Sequence, residues 1–187
     1  MPEYRRLWVA GGTYFLTLVT CGRRSLLHGE AVAWWREALA AAAQEKPFHV
    51  QAGVVLPDHV HLIVQLPTGD ADISSRIGRA KALFSRAMRE AGRAAGPARR
   101  SQERRRESGI WQRRFYDHPC RDDRDHAIHM DYLHYNPVKH GYVRCPADWP
   151  HSSFNHWVRN GLYPEGWGCG AKARVPDFAD IATRVGE

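Results

Sequence analysis

The chain has 187 residues, 43% of them hydrophobic, which suits one packed domain with or without a tail and excludes a chain disordered throughout. No stretch approaches the roughly 18 apolar residues of a membrane helix, and Met1 to Trp8 lead into no secretory cleavage pattern, so a soluble cytoplasmic protein without a membrane partner is expected. The net charge is +7, and fifteen Lys/Arg against six Asp/Glu fall between Ser74 and Arg124; that excess fits either a polyanionic partner or a solvated arginine-rich surface.

Gly12 to Thr20 (GTYFLTLVT) follows a Gly-Gly pair and is dense in aromatic and β-branched residues, which predicts a buried strand. Glu30 to Gln44 is alanine-rich with Val32, Trp35, Leu39 and Ala42 at helical spacing, and Pro47 closes that helix. Phe48 to Leu56 and His61 to Leu66 are two further strands, joined by a link that contains Pro57 and Asp58. From Ile73 to about Ala95 the apolar residues Ile73, Ile77, Ala80, Phe84, Ala87 and Ala91 recur at helical steps, while Arg76, Arg79, Arg86 and Arg93 line another side. Such a helix packs with one face and presents cations with the other. Gly96 to Gly109 holds five arginines and almost no large apolar residue, and reads as a flexible basic loop.

Ile110 to His118 regains strand character, and Asp122 to Asn136 reads as a helix with acids near its positive end, which Pro137 closes at Asn136. The order strand, helix, strand, strand, helix, strand, helix predicts an α+β sandwich of ferredoxin type over residues 1–148: a four-stranded antiparallel sheet with helices on one face. Residues 149–187 open aromatic and Gly/Pro-rich with weak periodicity, and are expected to be a C-terminal tail packed on that domain. The four cysteines, Cys21, Cys120, Cys145 and Cys169, form no CxxC pair, so reduced thiols are expected rather than a zinc knuckle or a disulfide framework.

Two short segments carry the chemistry. In Pro57-Asp58-His59-Val60-His61-Leu62 a strand places His59 and His61 on the same face, with Val60 turned into the core. Two imidazoles at a fixed separation are a natural ligand pair for a divalent metal, although a His-x-His pair also arises readily by chance among eleven histidines. In Asp131-Tyr132-Leu133-His134-Tyr135-Asn136-Pro137 a helix places Tyr132 and Asn136 one turn apart on one face. A tyrosine hydroxyl, with a pKa of about 10, needs a base or an activated electrophile to act as a nucleophile. Asn136 can offer a neutral oxygen as third metal ligand. Tyr135 competes for the nucleophile's role, and Asp58, His126, His129 and His134 are candidates for tuning protons or the metal.

LPDHVHLIVQLP followed downstream by DYLHYNPVKHGYV, with a basic helix and the Trp111-to-Phe115 segment between them, resembles the single-tyrosine HUH transposases, in particular the bacterial REP-associated tyrosine transposases. The resemblance runs from Tyr4 to about Trp167. It implies His59 and His61 as metal ligands, Tyr132 as nucleophile and Asn136 as the polar residue four positions on, where related insertion-sequence transposases carry Gln. It further implies cleavage of single-stranded DNA beside hairpins of repeated extragenic palindromes (REPs), a 5′-phosphotyrosine intermediate with a free 3′-OH, and Mg²⁺ or Mn²⁺ as the divalent cofactor. A protein associated with the nucleoid and acting as a monomer is expected, with a dimer as the alternative.

Expected DNA contacts are Arg76, Arg79, Lys81 and Arg86 on the long helix, Arg113 and Arg114 on the next strand, and Lys139 after the tyrosine helix, all to phosphate. Tyr4, Arg5 and Arg6 are placed near the hairpin foot, Trp111 and Phe115 are candidate stacking platforms, and the basic loop 96–109 could order on DNA. Two other functions fit the same residues: a non-catalytic regulator that binds hairpin DNA, and a metal-dependent hydrolase without a covalent intermediate.

Overall fold

The computed structural model describes residues 9–93, 109–170 and 177–185. β1 (Thr13–Val19), β2 (His49–Val55), β3 (His59–Gln65) and β4 (Tyr116–Pro119) form one antiparallel sheet in the order β2-β3-β1-β4. The two middle strands are buried almost throughout because both of their faces are apolar. Tyr14, Leu16 and Leu18 of β1 and Val60, Leu62 and Val64 of β3 face one side, where α1 (Glu30–Glu45) and α2 (Ile73–Glu90) cover them. Phe15 and Ile63 face the other side, with Ala52 and Val54 of β2.

That second face is covered as well, by α3 (Asp123–Lys139) through Met130, Tyr132 and Leu133, and by Phe178, Ile181 and Val185 in and beside a short C-terminal helix, Ala179–Val185. The expectation of helices on one face is therefore corrected: the sheet lies between two helical layers. An apolar Phe15/Ile63 face could not remain in water, and the late helix is the element available to cover it.

Local signals explain most element ends. Asp72 caps α2 by accepting from the Ser75 N–H at 3.0 Å, and Asp122 caps α3 by accepting from the Asp125 N–H at 2.8 Å. α2 ends at Glu90, short of the expected Ala95, and Gly92 follows with φ +67°. The strand expected over Ile110 to His118 is broken: Trp111 makes one bridge to Thr20, and regular pairing with β1 begins only at Tyr116. Trp111 itself packs into the α1/α2 core against Trp35 and Phe84.

α3 does not stop before its proline but runs on to Lys139 with Pro137 inside it. The local bias of a residue preceding proline is outweighed by packing, since Leu133, Asn136 and Pro137 are all buried. Residues after Asp148 run along the outer side of β2, where the Val55 N–H donates to His151 O at 2.8 Å and the Ser153 N–H to Gly53 O at 2.9 Å. Cys145 and Cys169 are joined by a disulfide, whereas Cys21 and Cys120 are free. The expectation of four reduced thiols is thus corrected, because two cysteines 24 residues apart carry no local pairing motif.

Candidate active site

His59 and His61 both lie on the α3 side of β3, and both are fully buried. Each ring is oriented through Nδ1. That of His59 is 2.7 Å from Asp58 Oδ1, and that of His61 is 2.9 Å from Oγ1 of Thr17, its cross-strand partner on β1. Asp58 is itself fixed by the end of β1: the Thr20 N–H donates to its carbonyl at 2.8 Å, and Arg23 Nη1 donates to its carboxylate at 3.2 Å. Burial would raise the Asp58 carboxyl pKa, but the hydrogen bond and charge of His59, aided by Arg23, hold it below the ordinary range. Asp58 therefore stays ionised beside the imidazole. Thr17 escaped the sequence reading; its only trace there is a polar residue in phase with Phe15 in an apolar strand.

α3 brings the remaining groups to the pair. Asn136 Oδ1 is 3.3 Å from His59 Nε2, and the Tyr132 ring centroid is 5.4 Å from that of His61. The two imidazole centroids are 4.9 Å apart. Because the helix continues past Pro137, Lys139 lies two turns on from Tyr132, and its Nζ donates to the Tyr132 hydroxyl at 3.3 Å. Lys139 is thus placed on the phenol rather than reserved for a phosphate. Tyr132 is fully buried, edge-on to Phe15 and Phe178. Tyr135 packs against Phe178 and Trp167.

The residues fit a divalent metal. Both imidazoles have Nδ1 engaged by an oxygen, which leaves Nε2 as the ligand atom, and the carboxamide oxygen already stands at His59 Nε2. A second group that could hold a cation among the described residues is His118, Asp125 and His129, with ligand atoms within 4.8 Å of one another. Here the Asp125 carboxylate sits 2.8 Å from His118 Nε2 and 3.2 Å from His129 Nδ1, and also accepts from the Arg121 N–H at 3.0 Å. Phe15 separates the two groups, its ring 4.9 Å from His129 and 5.3 Å from His61. Of the other tuning candidates, His126 meets Gln51, and His134 is buried between Tyr163 and Ser153.

The expected DNA contacts separate into distinct groups. Arg76 is only 2% exposed; it donates to both Asp70 carboxylate oxygens, to Pro47 O and to Asp72 O, so it is an interior anchor and not a phosphate ligand. Trp111 is 5% exposed in the core, which removes it as a stacking platform. Arg79 is paired with Glu45, Arg86 with Glu90, and Lys81 donates to Gln112 O at 2.7 Å and lies over the Phe115 ring. Arg113 and Arg114 are exposed. Tyr4, Arg5, Arg6 and nearly all of the basic loop 96–109 lie outside the described residues.

The family model described as "Transposase IS200 like" matches residues 9–136. A Haemophilus influenzae protein classed as a REP-associated tyrosine transposase is 43% identical over 90% of this chain and 94% of its own length. The REP-associated tyrosine transposase of Escherichia coli K12 is 40% identical over 89% of this chain and 91% of its own. Among solved structures, a REP-associated tyrosine transposase bound to a REP hairpin superposes with a TM-score of 0.77 at 38% identity, covering 96% of both chains. The chain belongs to the IS200-like transposase family, on its REP-associated tyrosine transposase branch, and is an enzyme of the DNA cleavage and rejoining class.

Proposed function

We propose that this protein cleaves and rejoins single-stranded DNA beside REP-type hairpins, with Tyr132 as nucleophile and His59, His61 and Asn136 holding Mg²⁺ or Mn²⁺. The observation that carries this is the meeting of the imidazole pair and the phenol within one chain, with the His61 and Tyr132 rings 5.4 Å apart. A divalent cation at the pair supplies Lewis-acid polarisation of the scissile phosphate and offsets charge developing on its oxygens. The Tyr132 hydroxyl gives up its proton to water and bonds to phosphorus; the bond from phosphorus to the 3′ oxygen breaks, and that oxygen takes up a proton from water to leave as a 3′-OH. The 5′-phosphate stays on Tyr132, so attack by a 3′-OH reverses the step without another energy source.

Lys139, donating to the phenol oxygen, offsets the negative charge that oxygen carries on attack and on departure. Since the nucleophile serves its own chain's histidines, one copy suffices, and a monomer is the working unit. Residues 1–148 form the nuclease unit and 149–187 its packed extension. Arg113 and Arg114, both exposed, contact phosphates. The hairpin as partner is supported by the relative of 0.77 TM-score that is bound to one. A cytoplasmic location fits a chromosomal substrate, and among the described residues no helix is long and apolar enough to cross a membrane.

The test is a labelled hairpin oligonucleotide with a single-stranded flank, incubated with Mn²⁺ and run under denaturing conditions. Wild type gives cleavage and a denaturation-resistant adduct, which chelation suppresses, Tyr132→Phe abolishes and Tyr135→Phe retains. Binding without cleavage would make the protein a hairpin-binding regulator. Cleavage without an adduct would make it a metal-dependent hydrolase.

A further inference from the structure

With Trp111 in the core, the aromatic surface beside the site lies elsewhere. After α3 the chain turns through a glycine cap: the Gly141 N–H donates to Val138 O and the Tyr142 N–H to Pro137 O, both at 2.9 Å, and Gly141 takes φ +73°. This is the left-handed cap that a helix end commonly uses, and only glycine adopts it without strain. The turn carries a row of rings away from the imidazole pair. The His140 ring centroid is 5.2 Å from that of His59, Tyr142 is 6.0 Å from His140 and Trp149 is 5.4 Å from Tyr142, with interplanar angles of 27° in the last two pairs. Trp149 is pinned by its Nε1–H, which donates to Val55 O at the end of β2 at 3.0 Å.

Those separations lie within the roughly 4.5–7 Å of rings in contact, so the three side chains form one contiguous row. Tyr142 is 45% exposed, the one aromatic among the exposed large hydrophobic side chains of the described residues, so part of the row faces solvent. Charge borders the row at two points: Arg144 and Arg36 are exposed, and Arg36 acts electrostatically on His151, which stands edge-on to Trp149. A rigid aromatic row bordered by cations, starting at the candidate metal ligands, has the chemistry that binds unpaired nucleotides: stacking for bases and positive charge for phosphates.

We propose that His140, Tyr142 and Trp149 form a stacking platform for the unpaired bases next to the scissile phosphate, with Tyr142 as its central contact. This rests on the reading of the site as a single-strand nuclease. The platform recognises base faces, so it tolerates sequence and sets where the single strand lies rather than which hairpin is chosen.

The test uses full-length protein with chelator present, so that binding is read without cleavage, and hairpins with and without a single-stranded flank that carries 2-aminopurine at successive positions. Wild type quenches the probe at one or two flank positions. Tyr142→Ala loses that quench and binds the flanked hairpin about tenfold more weakly, the scale of one lost base–aromatic stack, with flankless hairpin affinity and melting temperature unchanged. Tyr142→Trp restores both. The platform is overturned if Tyr142→Ala keeps the quench and the affinity, or weakens both hairpins alike. Adduct formation by wild type on the same oligonucleotide with Mn²⁺ tests the nuclease reading separately: no adduct alongside a Tyr142-dependent quench would remove the nuclease and leave the platform.

Discussion

His59 and His61 are oriented before any metal arrives, because Asp58 and Thr17 each hold one Nδ1. Partners behind a ligand fix its tautomer and ring orientation, and their loss typically costs 10–100-fold in metal affinity, on the order seen for such contacts generally. Asp58→Asn and Thr17→Val are each expected to weaken Mn²⁺ binding by about that factor, measured by calorimetric titration; unchanged affinity in both would show that the rings need no such support. The placement of His59 beside His61 and of Tyr132 one turn from Asn136 was legible, since His-x-His and Tyr-x-x-x-Asn follow directly from strand and helix periods. Thr17 was not, because it lies 44 residues from His61 and the two become neighbours only through the β1–β3 register.

α2 and the segment after it show how charge and aromatic content mislead at the scale of an element. Counting along the chain finds a cationic stripe, yet Arg79 is matched by Glu45, 34 residues away, and Arg76 is consumed by Asp70 and two backbone carbonyls. α2 also belongs to the layer on the far side of the sheet from Tyr132. Trp111, packed between Trp35 and Phe84, is part of that layer's core. Trp111→Ala is therefore expected to destabilise the protein by about 3–5 kcal/mol, read by chemical denaturation, and to weaken binding of flanked and flankless hairpins alike. Selective loss of the flanked hairpin with stability intact would return Trp111 to the DNA. Helix α3 shows the opposite failure, where a correct local rule about proline gave way to burial of the residues around it.

Across the whole molecule, the ferredoxin-type strand and helix order was legible from alternating periods, whereas the second helical layer was not, because nothing in a strand's sequence says which element will cover its other face. Residues 149–168 are bound to that layer by a buried relay: Tyr163 Oη donates to Asp131 Oδ1 at 2.9 Å, and His134 lies 3.1 Å from Tyr163 Oη and 2.8 Å from Ser153 Oγ. Burial pushes the His134 imidazole down to about 3, and burial also lowers His129. An unfolded chain then binds more protons than the native one below the ordinary histidine pKa of about 6.5, so stability is present above that pH and is lost as pH falls toward 3. Between pH 6.5 and 5, His134 alone contributes a loss of about 2 kcal/mol. Melting temperature should fall over that interval and fall less in His134→Gln; equal slopes in the two proteins would show that His134 is not held neutral.

The convergence of Tyr132 with the imidazole pair is tested most directly by trapping wild-type protein with Mn²⁺ on a flanked hairpin and mapping the adduct by tandem mass spectrometry of its peptides. The predicted result is a single 5′-phosphonucleotide on Tyr132, absent without the cation. A modification on Tyr135 or any other residue, or cleaved DNA with unmodified protein, would contradict it.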